Sequence, residues 1–277
     1  MVKIACLQVS PRPCFASAWE EINSYLNHAI DHSAQFILLP EYCGGLKTEN
    51  GLLKPPAALE DDHPILAKLI AVARENRVWV LIGSIAVNHG ELIKNRSYLI
   101  NDHGQILARY DKIHLFDIQL SEKQIYQESA VVDPGSEAVV VDTCIGQLGM
   151  SVCYDLRFPQ LYRTMCQRGA QVLTIPAAFL KKTGEAHWHV LNRARAIENG
   201  AYVIAPCAVG PIPGGGHSYG HTLVVDPWGK VVMDGGNEPC VKFAHIDTNL
   251  VNQTRHRIPS LRHDRDYNCT VIDLPVE

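Results

Sequence analysis

The segment "EAVVVDTCIGQLGMSVCYDLRFPQL" (137–161) decides how this chain folds. Val139–Val141 and Leu148–Val152 are strand-length apolar runs on either side of Gly146, and they read as an antiparallel hairpin. Pro159 then opens a short helical pattern, "PQLYRTMCQRG", that Gly169 stops. Cys153 therefore sits where a buried strand gives way to a helix, with Tyr154, Asp155 and Arg157 directly after it. A packing cysteine has apolar neighbours on both sides, whereas a reactive thiol needs polar groups at a turn.

The same alternation extends in both directions. Towards the start, "KIACLQVS" (3–10) and "AQFILLPEY" (34–42) read as strands, and between them Trp19, Ile22, Leu26 and Ile30 recur at helical spacing. "HPILAKLIAVARENR" predicts a helix and "VWVLIGSIAV" a strand, followed by a hairpin "RSYLINDHGQILARYD" turning at Asp102–Gly104. Towards the end, "QVLTIPAAF" predicts a strand and "AHWHVLNRARAIENG" a helix stopped by Gly200. "AYVIAPCAV", the hairpin "HTLVVDPWGKVVMD" and "VKFAHID" complete the strands. Helices alternating with buried strands, interrupted by hairpins, imply an α/β (layered α+β) fold with mixed sheets covered by helices. No linker-like run divides the 277 residues, so one domain over 1–277 is expected. Its tail, from about 254 to 277, reads as a charged arm, either solvated or packed on a second subunit.

Composition narrows the function. The chain has 25 Lys and Arg against 29 Asp and Glu, a formal net charge of -4, which argues against nucleic-acid or membrane-surface partners. There is no signal-peptide pattern at "MVKIACLQVS" and no apolar run of membrane-spanning length, so the cytoplasm is the expected compartment. Nine cysteines with no C-x-x-C pair suggest neither a disulfide framework nor a zinc knuckle. "HWH" places His187 and His189 two apart on a helix, on different faces, with no carboxylate at a ligand spacing; no metal is expected.

A nucleophilic Cys153 needs a base or nearby cation and donors for the oxyanion it creates. Glu41 closes the apolar run "FILLPE", and Lys112 follows a strand beside the apolar "IHLF"; both are unusual places for charges meant only for solvent. Three such residues from three strand ends form a plausible site at the carboxyl edge of a layered α/β protein.

The motifs "LLPEY", "YDKIHLFD", "YQES" and "VCYDLRFP" resemble the four motifs of the nitrilase, or carbon–nitrogen hydrolase, superfamily. "CYDLRFP" and "TGEAHWHVLNRARAIENGAYV" are most similar to its Nit branch, and the resemblance runs from residue 3 to about residue 267. It implies a four-layer α-β-β-α sandwich with two mixed sheets, a homodimer or higher homo-oligomer, and a site without metal or other cofactor. It further implies Glu41 as general base, Lys112 as the cation that holds the tetrahedral intermediate, Cys153 as nucleophile and Glu128 as a second glutamate that positions them. The activity implied is hydrolysis of a small carboxylate-bearing amide to acid and ammonia through a thioester. Deaminated glutathione or a similar 2-oxo acid amide is the expected substrate, with 2-oxoglutaramate, the omega-amidase substrate, or a non-catalytic role as alternatives.

Substrate contacts are expected from Tyr154, through its backbone N–H in the oxyanion hole, and from Arg157 as the cation for a substrate carboxylate. Phe179 and Thr183 match pocket positions of relatives, and His187 is read as packing or substrate-facing. Lys181, Lys182 and Glu185 depart from the branch's common pattern, which bears on specificity. The glycine-rich "GPIPGGGHSYG" (210–220) lies between strands and reads as a loop at the pocket rim.

Overall fold

The computed structural model describes residues 1–272 apart from Asn50 and Lys123. In the first half, β1 (Val2–Gln8), β2 (Phe36–Leu38), β3 (Trp79–His89), β4 (Leu92–Ile100) and β5 (Ile106–Asp111) alternate with α1 (Phe15–Asp31) and α2 (Pro64–Asn76). In the second half, β6 (Val139–Thr143), β7 (Gly146–Met150), β8 (Val172–Thr174), β9 (Tyr202–Ala205), β10 (Leu223–Val225) and β11 (Val231–Asp234) alternate with α3 (Pro159–Gln167) and α4 (Lys181–Asn199). Strand β12 (Cys240–Ile246) and helix α5 (Thr248–Arg257) follow.

These strands form two mixed sheets. One runs β12-β1-β2-β3-β4-β5 and the other β6-β7-β8-β9-β10-β11. Each is parallel at its centre, across β1-β2-β3 and β7-β8-β9, and antiparallel at its flanks. Parallel pairs need helical crossovers, which α1 to α4 supply, while the hairpins extend each sheet outward. The last strand, β12, returns to pair with β1 and thereby ties the end of the fold to its beginning.

The two-residue period of the strands sorts the core. Ile4, Cys6, Phe36, Leu38, Leu81 and Leu99 join one apolar cluster with the second sheet and with Leu161, Met165 and Trp188 of α3 and α4. Ala5, Leu7, Ile37, Val80, Ile82 and Ile100, on the other face, join Ile22 and Leu26 of α1 and Leu66 and Leu69 of α2 in a second. Ala18, Ile22, Leu26 and Ala29 give α1 its single buried stripe, each large aliphatic contributing about 1.5–3 kcal/mol on burial. The imidazole of His63, just before α2, is buried against the edge of Phe15 at 4.9 Å, and burial pushes its pKa down to about 4.

Two expectations are revised. Helix α4 begins at Lys181, one and a half turns before "AHWHV", so that Thr183 and Gly184 are helical; Gly184 is needed there because a Cβ would meet Tyr219 Cγ at 2.4 Å. The arm expected from residue 254 begins later: Thr254–Arg257 belong to α5, with Thr254 buried, and Arg163 holds both Asp264 and the Ser260 carbonyl. Residues 273–277 of that arm lie outside the described residues. Among the described residues, no helix is long and apolar enough to cross a membrane.

Candidate active site

Glu41 follows β2 in a turn that depends on its neighbour strand. At Gly83 of β3 a Cβ would lie 2.1 Å from the Leu39 carbonyl, so only glycine lets β3 come this close. Ser84 then captures the turn: its Oγ accepts the Tyr42 N–H (2.9 Å) and its carbonyl accepts the Cys43 N–H (3.0 Å). Tyr42 is held in the left-handed region at φ +51°, which aims the preceding carboxylate inward.

Lys112 leaves β5 with its N–H donating to the Asn95 carbonyl (3.0 Å) and its side chain 2% exposed. The ammonium donates to Glu41 Oε1 at 3.0 Å and straddles Glu128, at 3.0 Å from Oε1 and 2.8 Å from Oε2. Glu128 opens a one-turn 3-10 helix after the strand Gln124–Gln127, and its Oε2 also accepts the Phe116 N–H at 2.7 Å. Burial of Lys112 disfavours its charge, but Glu128 and Glu41 outweigh burial and hold the amine charged well above its ordinary range.

Cys153 begins a short 3-10 helix, Cys153–Arg157, just after β7. Its backbone is left-handed, φ +51°, and its N–H donates to the Pro176 carbonyl at 2.9 Å. Strain of this kind at a buried, non-glycine residue marks a place where position outweighs comfort. Burial, reinforced by Glu41, pushes the thiol well above its ordinary pKa, and Lys112 opposes that only in part. At rest the sulfur therefore keeps its proton, and a nucleophilic role would need a base rather than a standing thiolate.

The structure thus brings together Glu41, Lys112, Glu128 and Cys153, all within the wall of one cleft. Phe179 and Thr183 line the same cleft, as do Ile212 and Gly215 of the glycine-rich loop. Tyr154, Arg157 and His187 do not line it. Arg157 lies beyond the wall, its guanidinium 5.7 Å from the Tyr154 ring and 5.6 Å from Phe179, with Nη2 at 3.3 Å from His187 Nδ1. A residue four positions after Cys153 is carried by the 3-10 turn to the outer side of these rings, which is why Arg157 packs there.

Sequence reasoning gave no role to two supporting residues. Asn95, fully buried on β4, donates from one Nδ2 to both Glu41 Oε1 (2.9 Å) and Glu128 Oε1 (3.2 Å). Its signal was a polar residue on a strand face otherwise used for the core, alongside Ser97 and Leu99. Asp155, also fully buried, accepts from the Tyr110 hydroxyl (2.7 Å) and Val152 N–H (2.8 Å) on Oδ2, and from the His114 N–H (3.0 Å) on Oδ1, with His114 Nδ1 2.7 Å away. It thereby locks the loop after Lys112 onto the turn that carries Cys153. The Ala178 N–H donates to Glu41 Oε2 at 2.8 Å and completes the carboxylate's cage.

Residues 3–256 match the family model described as carbon-nitrogen hydrolase. The chain belongs to the carbon–nitrogen hydrolase family. It is similar to a deaminated glutathione amidase of Synechocystis sp., 38% identical over 94% of this chain and 96% of that one. It is also similar to an omega-amidase of Mus musculus, 36% identical over 72% of each chain. The crystal structure of the nitrilase and fragile histidine triad fusion protein of Caenorhabditis elegans superposes with a TM-score of 0.87 at 33% identity, covering 95% of this chain and 65% of that one. A glutamate-to-glutamine mutant of the amidase from Nesterenkonia sp. AN1, TM-score 0.76 and 25% identical over 94% of this chain and 98% of that one, shows the result of Michael addition of acrylamide at its active site cysteine.

Proposed function

We propose that this carbon–nitrogen hydrolase is a cysteine-dependent amidase for small carboxylate-bearing amides, with deaminated glutathione or a similar 2-oxo acid amide as substrate. The observation that carries the reading is the Lys112 ammonium clasped by Glu41 and Glu128 in the wall of the cleft that holds Cys153. Glu41 takes the thiol proton as Sγ attacks the amide carbon, and the oxyanion is held by Lys112 and by the backbone N–H of Tyr154, which directly follows Cys153 although Tyr154 is not among the residues lining the cleft. The carbon–nitrogen bond breaks as Glu41 returns the proton to the leaving nitrogen. Water, activated by the same carboxylate, then hydrolyses the thioester and restores the thiol. Glu128 fixes the ammonium from the far side.

A primary amide releases ammonia. Deaminated glutathione carries the rest of the peptide on its amide nitrogen and releases an amine instead, so the shared readout is the liberated acid. Omega-amidase activity on 2-oxoglutaramate is the second reading, supported by the murine relative. Arg157, one ring away from the cleft, is the cation we assign to the substrate carboxylate, reached by rotation past Phe179.

A single domain over 1–277, layered α-β-β-α as its two apolar clusters support, acts in the cytoplasm as a homodimer or larger homo-oligomer. Exposed Val190, Ile197 and Trp228, 66%, 53% and 56% exposed, supply apolar surface for self-association. The net charge of -4 supports small-molecule rather than nucleic-acid partners.

The test is release of acid from deaminated glutathione, 2-oxoglutaramate, glutamine and a simple nitrile by the parent protein and by Cys153→Ala. Turnover of a 2-oxo acid amide that disappears in a folded Cys153→Ala protein is expected. Turnover retained by that variant would overturn the assignment.

A further inference from the structure

Outside the lining of the cleft, three potential ligands converge from three elements. His189 comes from α4, His221 from the approach to β10, and Asp234 from the end of β11. His189 Nε2 lies 3.0 Å from Asp234 Oδ2, and His221 Nδ1 lies 3.0 Å from Oδ1 and 3.2 Å from Oδ2. One donor atom from each residue falls within 4.8 Å of the others. We infer that His189, His221 and Asp234 form a binding site for one divalent transition-metal ion of the zinc or cobalt class.

The donor set is the first argument. Two imidazoles and one carboxylate suit zinc, cobalt and nickel rather than magnesium or calcium, which take oxygen ligands. Size is the second. Metal–ligand bonds of about 2.0–2.2 Å in a tetrahedron put ligand atoms about 3.4 Å apart, so the two contacts to Asp234 need to open by only a few tenths of an ångström, while the two imidazole nitrogens, within 4.8 Å of each other, close by at most about 1.4 Å. Preorganisation is the third. His221 is held at φ +51°, a conformation costly for a side chain larger than glycine. Its N–H is tied to the Gly236 carbonyl (2.6 Å) and its carbonyl accepts from Trp188 Nε1 (2.7 Å). The ring stacks on Tyr219 at 4.5 Å, and the Gly236 N–H donates to Asp234 Oδ1 at 2.8 Å, fixing the carboxylate from behind.

All three ligands are partly open to solvent, with side chains 34%, 27% and 36% exposed, so an ion can enter and a water can complete its shell. The ion would pin α4, which carries Thr183 in the cleft wall, to the β10–β11 hairpin. The spacing in sequence hid this site, because Asp234 stands 45 residues from His189.

The experiment is cobalt(II) titration of metal-stripped, reduced, full-length protein, followed by absorption and by thermal unfolding, with zinc(II) as competitor. One equivalent should bind, without the thiolate-to-cobalt charge-transfer band that any of the nine cysteines would produce, and zinc should displace it. At a zinc concentration about 100 times the dissociation constant, Tm should rise by about 5–10 °C. His189→Gln, on the helix surface, and His221→Asn, which tolerates a left-handed backbone, should each abolish the cobalt spectrum and the Tm shift. Absence of binding, or binding that shows thiolate ligation and survives both substitutions, overturns the site.

Discussion

Replacing Lys112 with methionine tests the charge balance of the active site. The side chains are similar in length, so the change removes an ammonium and leaves its stem. Glu41 Oε1 and Glu128 Oε1 then share the Asn95 Nδ2 donor, helped only by the Tyr42 hydroxyl at 3.4 Å from Glu128 Oε1, in a region where both side chains are no more than 5% exposed. Taking one partner from a buried ion pair costs about 3–5 kcal/mol when the remaining charge stays. Two carboxylates that share one donor relieve that cost by retaining a proton between them. Over the range where both carboxyls of the unfolded chain are ionised, the native variant then binds one proton that the unfolded chain does not. Stability must fall as pH rises, by about 1.36 kcal/mol per unit. For a chain of this size that is about 3–5 °C in Tm per pH unit between about pH 5.5 and pH 8. The parent protein has no such slope from this group, because Lys112, held above its ordinary range, loses its proton only in strong alkali. Thermal unfolding by circular dichroism across that range gives the answer. Parallel Tm profiles for parent and Lys112→Met would refute the charge balance drawn here.

The other perturbations probe what surrounds the site. Asp155→Asn keeps one acceptor oxygen, so whichever way the amide turns, either the Val152 or the His114 N–H loses its partner. We expect a loss of about 2–3 kcal/mol, a fall in Tm of about 4–10 °C, and a kcat that drops more than KM rises. A Tm and kcat equal to the parent's would sink the positioning role. His63→Leu addresses acid stability. Because burial pushes His63 down to about 4, the unfolded chain takes up a proton below about pH 6.5 that the native state refuses. That group's share of stability is therefore lost as pH falls through this window, and the urea midpoint of His63→Leu should vary less with pH there than the parent's. An unchanged acid limb would show that His63 is not responsible.

Much of this arrangement is legible in the primary structure because the decisive charges interrupt apolar runs. Glu41, Lys112 and Cys153 each stand where a buried strand stops, and such residues need a reason to be there. The hairpins at Gly146, Asp102–Gly104 and Pro227–Gly229 are likewise announced by their turn residues. What escapes is whatever depends on distance across the fold. Asn95 reads as an ordinary strand residue until β4 lies beside both glutamates. Arg157 is close to Cys153 in sequence, yet a single 3-10 turn puts two aromatic rings in the way. The start of α4 was hidden because Gly184 weakens the helical signal that its packing on Tyr219 requires.

The left-handed backbone at Cys153 also limits what chemistry this scaffold can acquire. At φ +51°, a β-branched side chain would collide with its own main chain. Threonine is thereby excluded at position 153, although its hydroxyl serves as nucleophile in other hydrolases. Serine and cysteine, both unbranched, remain the nucleophiles that this turn can present. A single base change can exchange those two, whereas reaching threonine chemistry would require the turn itself to be rebuilt.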